Sequence, residues 1–146
     1  MYRMLLIFLF STFVLFSYTA FAETNQLNNE EVLIGKPGDP SQVSRTIKLT
    51  LLDNMFLPPE ITVSEGETIK FVLKNLGNNT HHFLMGSVDD LKKAASTKRK
   101  NEHLIRVKPS EEKELIWQFT KVGTINFACP IRDHFKTMRG KIIVKK

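Results

Sequence analysis

The chain has 146 residues, 42% of them hydrophobic and 25% charged, with a formal net charge of +6. That length holds one domain with a genuine core, and its single cysteine excludes an internal disulfide. The positive charge lacks the dense Arg/Lys stripes of a nucleic-acid protein, so no nucleic acid is expected as a partner.

The first 22 residues read as a secretory signal peptide. Arg3 supplies a positive start, residues 5–16 form a short apolar run broken only by Ser11 and Thr12, and Ala20-Phe21-Ala22 is an A-x-A cleavage signal before Glu23. The run is shorter than the ~20 apolar residues a spanning helix needs, so stable membrane insertion is not expected after cleavage. Losing Arg3 takes the net charge from +6 to +5. The expected location is the periplasm. There a lone thiol must be buried, blocked or bound to a metal.

Residues 23–44 are polar and irregular, with Gly35, Pro37, Gly38 and Pro40, and read as a flexible lead-in. It becomes ordered near residues 32–34 or only at Arg45. Residues 45–146 form the domain. Thr46, Lys48 and Thr50 alternate with Ile47, Leu49 and Leu51, which predicts a half-buried strand. Residues 54–59 make a turn, Ile61 and Val63 a short strand, and residues 68–74 a third strand. The turn-rich Asn75-Leu76-Gly77-Asn78-Asn79-Thr80 leads into a strand at residues 81–85. Residues 89–100 allow one or two helical turns, with Ser87 or Asp90 as cap. Short strands follow at 103–107 and 114–120, the latter with Leu115, Trp117 and Phe119 on one face. Seven or eight short strands with almost no helix predict an all-β Greek-key sandwich or barrel.

The closing segment, residues 123–144, carries the chemistry. Two strands flank a ten-residue loop bearing Cys129, His134 and Met138 in the spacing Cys-x4-His-x3-Met. A buried Cys, a gap-filling Met or a lone His would each mean little alone. Together on one loop they form a soft-metal set. A thiolate, imidazoles and a weak axial thioether suit copper in both oxidation states. A second imidazole must come from a distant strand, and His81 and His82 sit at such a junction. Strand alternation sends them to opposite faces, so one of the two can bind. His103 has no companion ligands.

Three blocks of the chain resemble the cupredoxins, the small blue-copper fold: IKLTLLDNMFLPPEITVSEGETIKFVLKN, NNTHHF and GTINFACPIRDHFKTMRGKIIV. The resemblance covers about residues 45–85 and 111–145 and is closest to the azurin-like, copper-resistance-associated periplasmic group. It implies one copper per chain, with His81 as the first ligand, Cys129 and His134 completing a trigonal set, and Met138 as the long axial ligand. His82 then stands where the family carries a residue such as Asn or Glu, which is a departure. Residues 87–102 match nothing in the pattern. The resemblance also implies single-electron transfer with His134, the more exposed imidazole, as the port.

Met85 and Trp117 read as core and Met55 is given no role. The basic run at residues 92–100 reads as a solvated face ahead of a docking patch for an acidic partner. Asp133, between Arg132 and His134, cannot converge with its neighbours as a hydrolase constellation. One Cys and four His cannot supply a dinuclear or multicopper centre, so the chain is not expected to be an enzyme. Two functions remain. One is an electron carrier between redox partners. The other is a copper-binding protein for tolerance, storage or delivery to a copper-accepting partner. A monomer is expected in either case.

Overall fold

The computed structural model describes residues 35–97, 101, 103–131 and 133–146. The segment expected to be a signal peptide and most of the expected lead-in lie outside the described residues, as do Lys98, Arg99 and Lys100 of the basic run. Ten strands form two five-stranded sheets among the described residues. One sheet contains β1 (Lys36–Pro37), β2 (Arg45–Leu52), β3 (Met55–Leu57), β5 (Thr68–Asn75) and β8 (Glu112–Gln118), in the order β1-β8-β5-β2-β3. The other contains β4 (Glu60–Ser64), β6 (His81–Gly86), β7 (Ile105–Val107), β9 (Gly123–Ala128) and β10 (Arg139–Lys145), in the order β4-β10-β9-β6-β7. β2 pairs with β5 and β10 with β4 in parallel, and the remaining ladders are antiparallel.

The two strands beyond the expected eight are short and lie at one sheet's edges. β3 occupies the stretch expected to be turn: Phe56 is buried between exposed Met55 and Leu57, and the strand pairs with the end of β2. β1 places ordered backbone ahead of Arg45, with Lys36 and Pro37 paired to Gln118 and Trp117. Gly35 makes that approach possible. Its φ is +107°, and a Cβ there would lie 2.9 Å from the indole nitrogen of Trp117.

Strand alternation buries one face of each sheet against the other. Leu49, Leu51, Ile69, Phe71 and Leu73 from one sheet meet Phe83, Met85, Ile125, Phe127, Ile142 and Val144 from the other. Trp117 and Phe119 complete this core, as expected of Trp117. The Phe56 ring stands edge-on to Phe127 at 5.2 Å and to Phe83 at 6.0 Å, which adds directional contact to burial.

The one α-helix among the described residues, α1 (Val88–Ser96), lies on the outer face of the second sheet. Ser87 caps it by accepting from the Asp90 amide at 3.1 Å, and the Ser87 hydroxyl also bonds the Asp90 carboxylate. Leu91 is its buried residue, packed with Leu84 and Ala128 while Phe135 closes over them. Lys92 and Lys93 face solvent and pair with Asp89 and Asp90 at 3.7 and 3.8 Å. No helix among the described residues is long and apolar enough to cross a membrane.

Candidate metal centre

Because β6 and β9 are antiparallel neighbours, with Leu84 opposite Ala128, the start of β6 and the end of β9 reach the same edge of the second sheet. His81 is the first residue of β6, and Cys129 follows the last residue of β9. The sheet's register therefore brings together residues 48 positions apart. One ligating atom from each of His81, Cys129 and His134 lies within 4.8 Å of the others. The rings of His81 and His134 are 5.0 Å apart, and His134 Nδ1 is 3.7 Å from Cys129 Sγ.

The loop from Cys129 to Met138 is held by its own backbone. His134 and Phe135 amides donate to the Ile131 carbonyl at 2.9 Å, Met138 donates to His134 at 2.8 Å, and Cys129 donates to Met138 at 3.1 Å. This compact turn brings the Met138 backbone back to Cys129, and both residues are fully buried in the core cluster. His81 is also fully buried, whereas His134 is only partly so. The exposure difference expected between the two imidazoles is present.

The sulfur sits in a hydrogen-bonded, apolar pocket. The His82 backbone amide donates to Cys129 Sγ at 3.3 Å, and the Ile131 amide is a second donor. Burial raises the Cys129 thiol above its ordinary range, and the two amides pull in the opposite direction. His82 makes its contact through the main chain, so the departure at this position leaves the donor in place. Its side chain points to the opposite face from the buried Phe83. His103 is remote from the cluster, standing edge-on to Trp117 at 5.8 Å.

Two residues that sequence reasoning passed over shape the site. Asp53 ends the β2 region of the other sheet, and its Oδ1 lies 2.9 Å from His81 Nε2. The Asp53 carboxyl is held down to about 2, first by the Asn78 amide, with His81 and Asn79 also contributing. It is therefore an ionised acceptor, and His81 Nε2 must carry the proton. Burial lowers the His81 pKa, with the Asp53 bond opposing, so the ring is neutral at pH 7. Its Nδ1 is then an unprotonated lone pair, buried and without a hydrogen-bond partner. An orphaned nitrogen beside a thiol and a second imidazole fits a metal ion, because a buried polar atom is otherwise costly.

The other is Asn75, fully buried at the end of β5. Its Nδ2 donates to the carbonyls of Asn79 and Val107 at 2.8 and 3.0 Å, and its Oδ1 accepts from Gly77 at 2.9 Å. This fixes the loop that delivers His81. The available signal was an Asn at the exact junction of an apolar strand and a turn, where side chains bond neighbouring backbone. For Asp53 it was the Asp53-Asn54 pair at a strand end, Asn54 having φ +74°.

A family model described as cupredoxin-like domain matches residues 5–144. The copper-resistant cuproprotein CopI of Rubrivivax gelatinosus is 38% identical over 120 residues, covering 76% of this chain and 73% of that protein. The protein of the same name from Pseudomonas aeruginosa is 30% identical over 148 residues, with 76% and 82% covered. Among solved structures, reduced auracyanin from Roseiflexus castenholzii superposes with a TM-score of 0.61 at 20% identity, covering 71% of this chain and 99% of that one. An azurin from Methylomonas sp. strain J gives 0.60 at 13% identity, with 71% and 100% covered. These structural likenesses speak for the fold. The sequence matches go further, and the chain belongs to the cupredoxin-like family, in the group of the copper-resistant cuproproteins.

Proposed function

We propose that this protein is an exported mononuclear type 1 copper protein, with His81, Cys129 and His134 as the close ligands and Met138 as the axial one, and that it carries single electrons between redox partners. The observation that carries this reading is the buried, unpartnered Nδ1 of His81 beside the Cys129 thiol and the His134 ring. The donor set supports copper on chemical grounds: thiolate and thioether favour Cu(I), and imidazole serves both states. Bound copper would supply a one-electron couple.

The chain's part is to hold the ligands still and to open one path outward. The strand ends fix His81 and Cys129, the self-bonded loop fixes His134 and Met138, and amide donors stabilise the sulfur's charge. His134, the partly exposed ligand, is the route for an electron to a partner. The partner itself would be a redox protein that can approach this edge.

A second reading is favoured by the name shared by the relatives, copper-resistant cuproprotein. Here the same site serves copper tolerance, and redox change is secondary. One experiment tests the site and a second separates its uses. Titrating the purified protein with Cu(II) should give, at one equivalent, an intense thiolate-to-copper visible band and a narrow copper hyperfine pattern in EPR. Absence of both would reject the site. Fast electron self-exchange supports the carrier. Slow exchange, together with copper sensitivity of cells carrying Cys129→Ser, supports tolerance.

A further inference from the structure

The Asp53 carboxylate stands in the turn that follows β2 of the first sheet, and the imidazole it touches belongs to β6 of the second. Asp53 Oδ1 meets His81 Nε2 at 2.9 Å, while the same carboxylate accepts from the amides of Asn78 at 3.1 Å and Asn79 at 3.2 Å. The Asn78 amide takes Oδ2 and the Asn79 amide shares Oδ1 with His81, so the carboxylate has two anchors besides the histidine. Gly77 seals the arrangement. A Cβ at this position would lie 2.5 Å from Asp53 Oδ1 and 3.0 Å from His81 Nε2. The backbone can pass over the pair because residue 77 has no side chain.

We propose that Asp53 is a positioning residue that fixes His81 as the Nε2–H tautomer, aims its Nδ1 lone pair at the Cys129–His134 cluster, and biases the bound copper toward the oxidised state. The proposal rests on the copper reading above. A carboxylate can only accept, so it selects the ring nitrogen that keeps the proton. Its negative charge also makes the imidazole a stronger donor, which favours Cu(II) over Cu(I). Sharing the charge with two amides keeps the carboxylate in place without cancelling it. Asp53 touches no metal position itself and acts through His81.

The test has two arms. In the metal-free wild-type protein, long-range 15N–1H correlation of the His81 ring should find the proton on Nε2 and none on Nδ1. This needs no variant, and a proton on Nδ1 overturns the proposal. In copper-loaded protein, Asp53→Asn should lower Cu(II) affinity by about 10–100-fold. It should also raise the reduction potential, by about 59 mV for each tenfold change in the ratio of Cu(II) to Cu(I) affinity. Gly77→Ala, which pushes the pair apart with the charge retained, should lose the fixed tautomer. A purely structural Asp53 would lower the melting temperature of D53N while leaving potential and tautomer as in wild type, and that result overturns the proposal. A wild-type protein with no thiolate-to-copper band instead rejects the copper reading. A wild type with the band, and D53N with an unshifted potential, rejects only the role of Asp53.

Discussion

The backbone amide of His82 points at the sulfur of Cys129 from 3.3 Å, across 47 residues of sequence. A donor to a thiolate stabilises the negative charge on sulfur, which is greater in the reduced site, and so raises the potential. Because the donor is main chain, His82→Asn should leave the position of the visible charge-transfer band nearly unchanged. His82→Pro removes the N–H and should move both band and potential. Absorption spectra and voltammetry of the two copper-loaded variants check this.

Metal uptake should be pH-dependent through the thiol. Burial holds Cys129 above its ordinary value of 9.0, so it is protonated near neutrality in the metal-free protein. His81 is pushed below 6.5 by burial and has no proton to release at pH 7 from its ligating nitrogen. Binding through the thiolate therefore frees one proton, and apparent affinity should rise about tenfold per pH unit between pH 6.5 and 8. Calorimetry in two buffers of different ionisation enthalpy counts that proton.

Acid should weaken the fold partly through Glu67. Its carboxylate takes the Arg45 guanidinium at 2.7 Å and the Ser64 amide at 2.8 Å, joining the start of β2 to the turn before β5. The Arg45 bond leads in holding the Glu67 pKa below 4.5. A depressed carboxylate contributes stability that is present above its unfolded value and lost as pH falls through the folded one. Glu67→Gln should cost about 1 kcal/mol at pH 7, and its stability should match wild type more closely as pH drops toward 3. Urea unfolding at pH 7 and pH 3 measures the difference.

Gly140 should refuse a side chain. It pairs with Phe127 across β9 and β10, and a Cβ there would strike the Phe127 ring and lie 2.5 Å from the Pro59 carbonyl. Neither the backbone oxygen nor a ring wedged against Phe56 can yield freely. Gly140→Ala should destabilise by about 1–3 kcal/mol by overpacking, read as a lower denaturation midpoint with an unchanged m-value.

Much of the molecule was legible because its patterns are local. Alternation in residues 45–51 and 68–74 marks strands with one buried face, and the spacing from Cys129 to Met138 marks the metal loop without any knowledge of the sheets. The two edge strands were not legible. Pro37 and the pair Pro58-Pro59 advertise turns, yet Lys36–Pro37 and Met55–Leu57 pair through neighbouring strands that supply the missing propensity. Nor was Asp53. Its meeting with His81 joins a turn after β2 of one sheet to the start of β6 in the other, 28 residues on, and only sheet closure sets that distance. The helix at Val88–Ser96 was half legible: the Ser87 cap is written in the sequence, but its length depends on Leu91 finding Leu84 and Ala128.

Asn75 carries one more implication. Both its side-chain groups are spoken for, by a carbonyl and an amide of the loop before β6 and by the carbonyl of Val107 in β7, and its main chain adds bonds to Glu111 and Ser110. An extra residue anywhere between positions 76 and 79 would have to break one of those bonds or swing the first imidazole off its mark. Length variation in this stretch is therefore forbidden on stereochemical grounds.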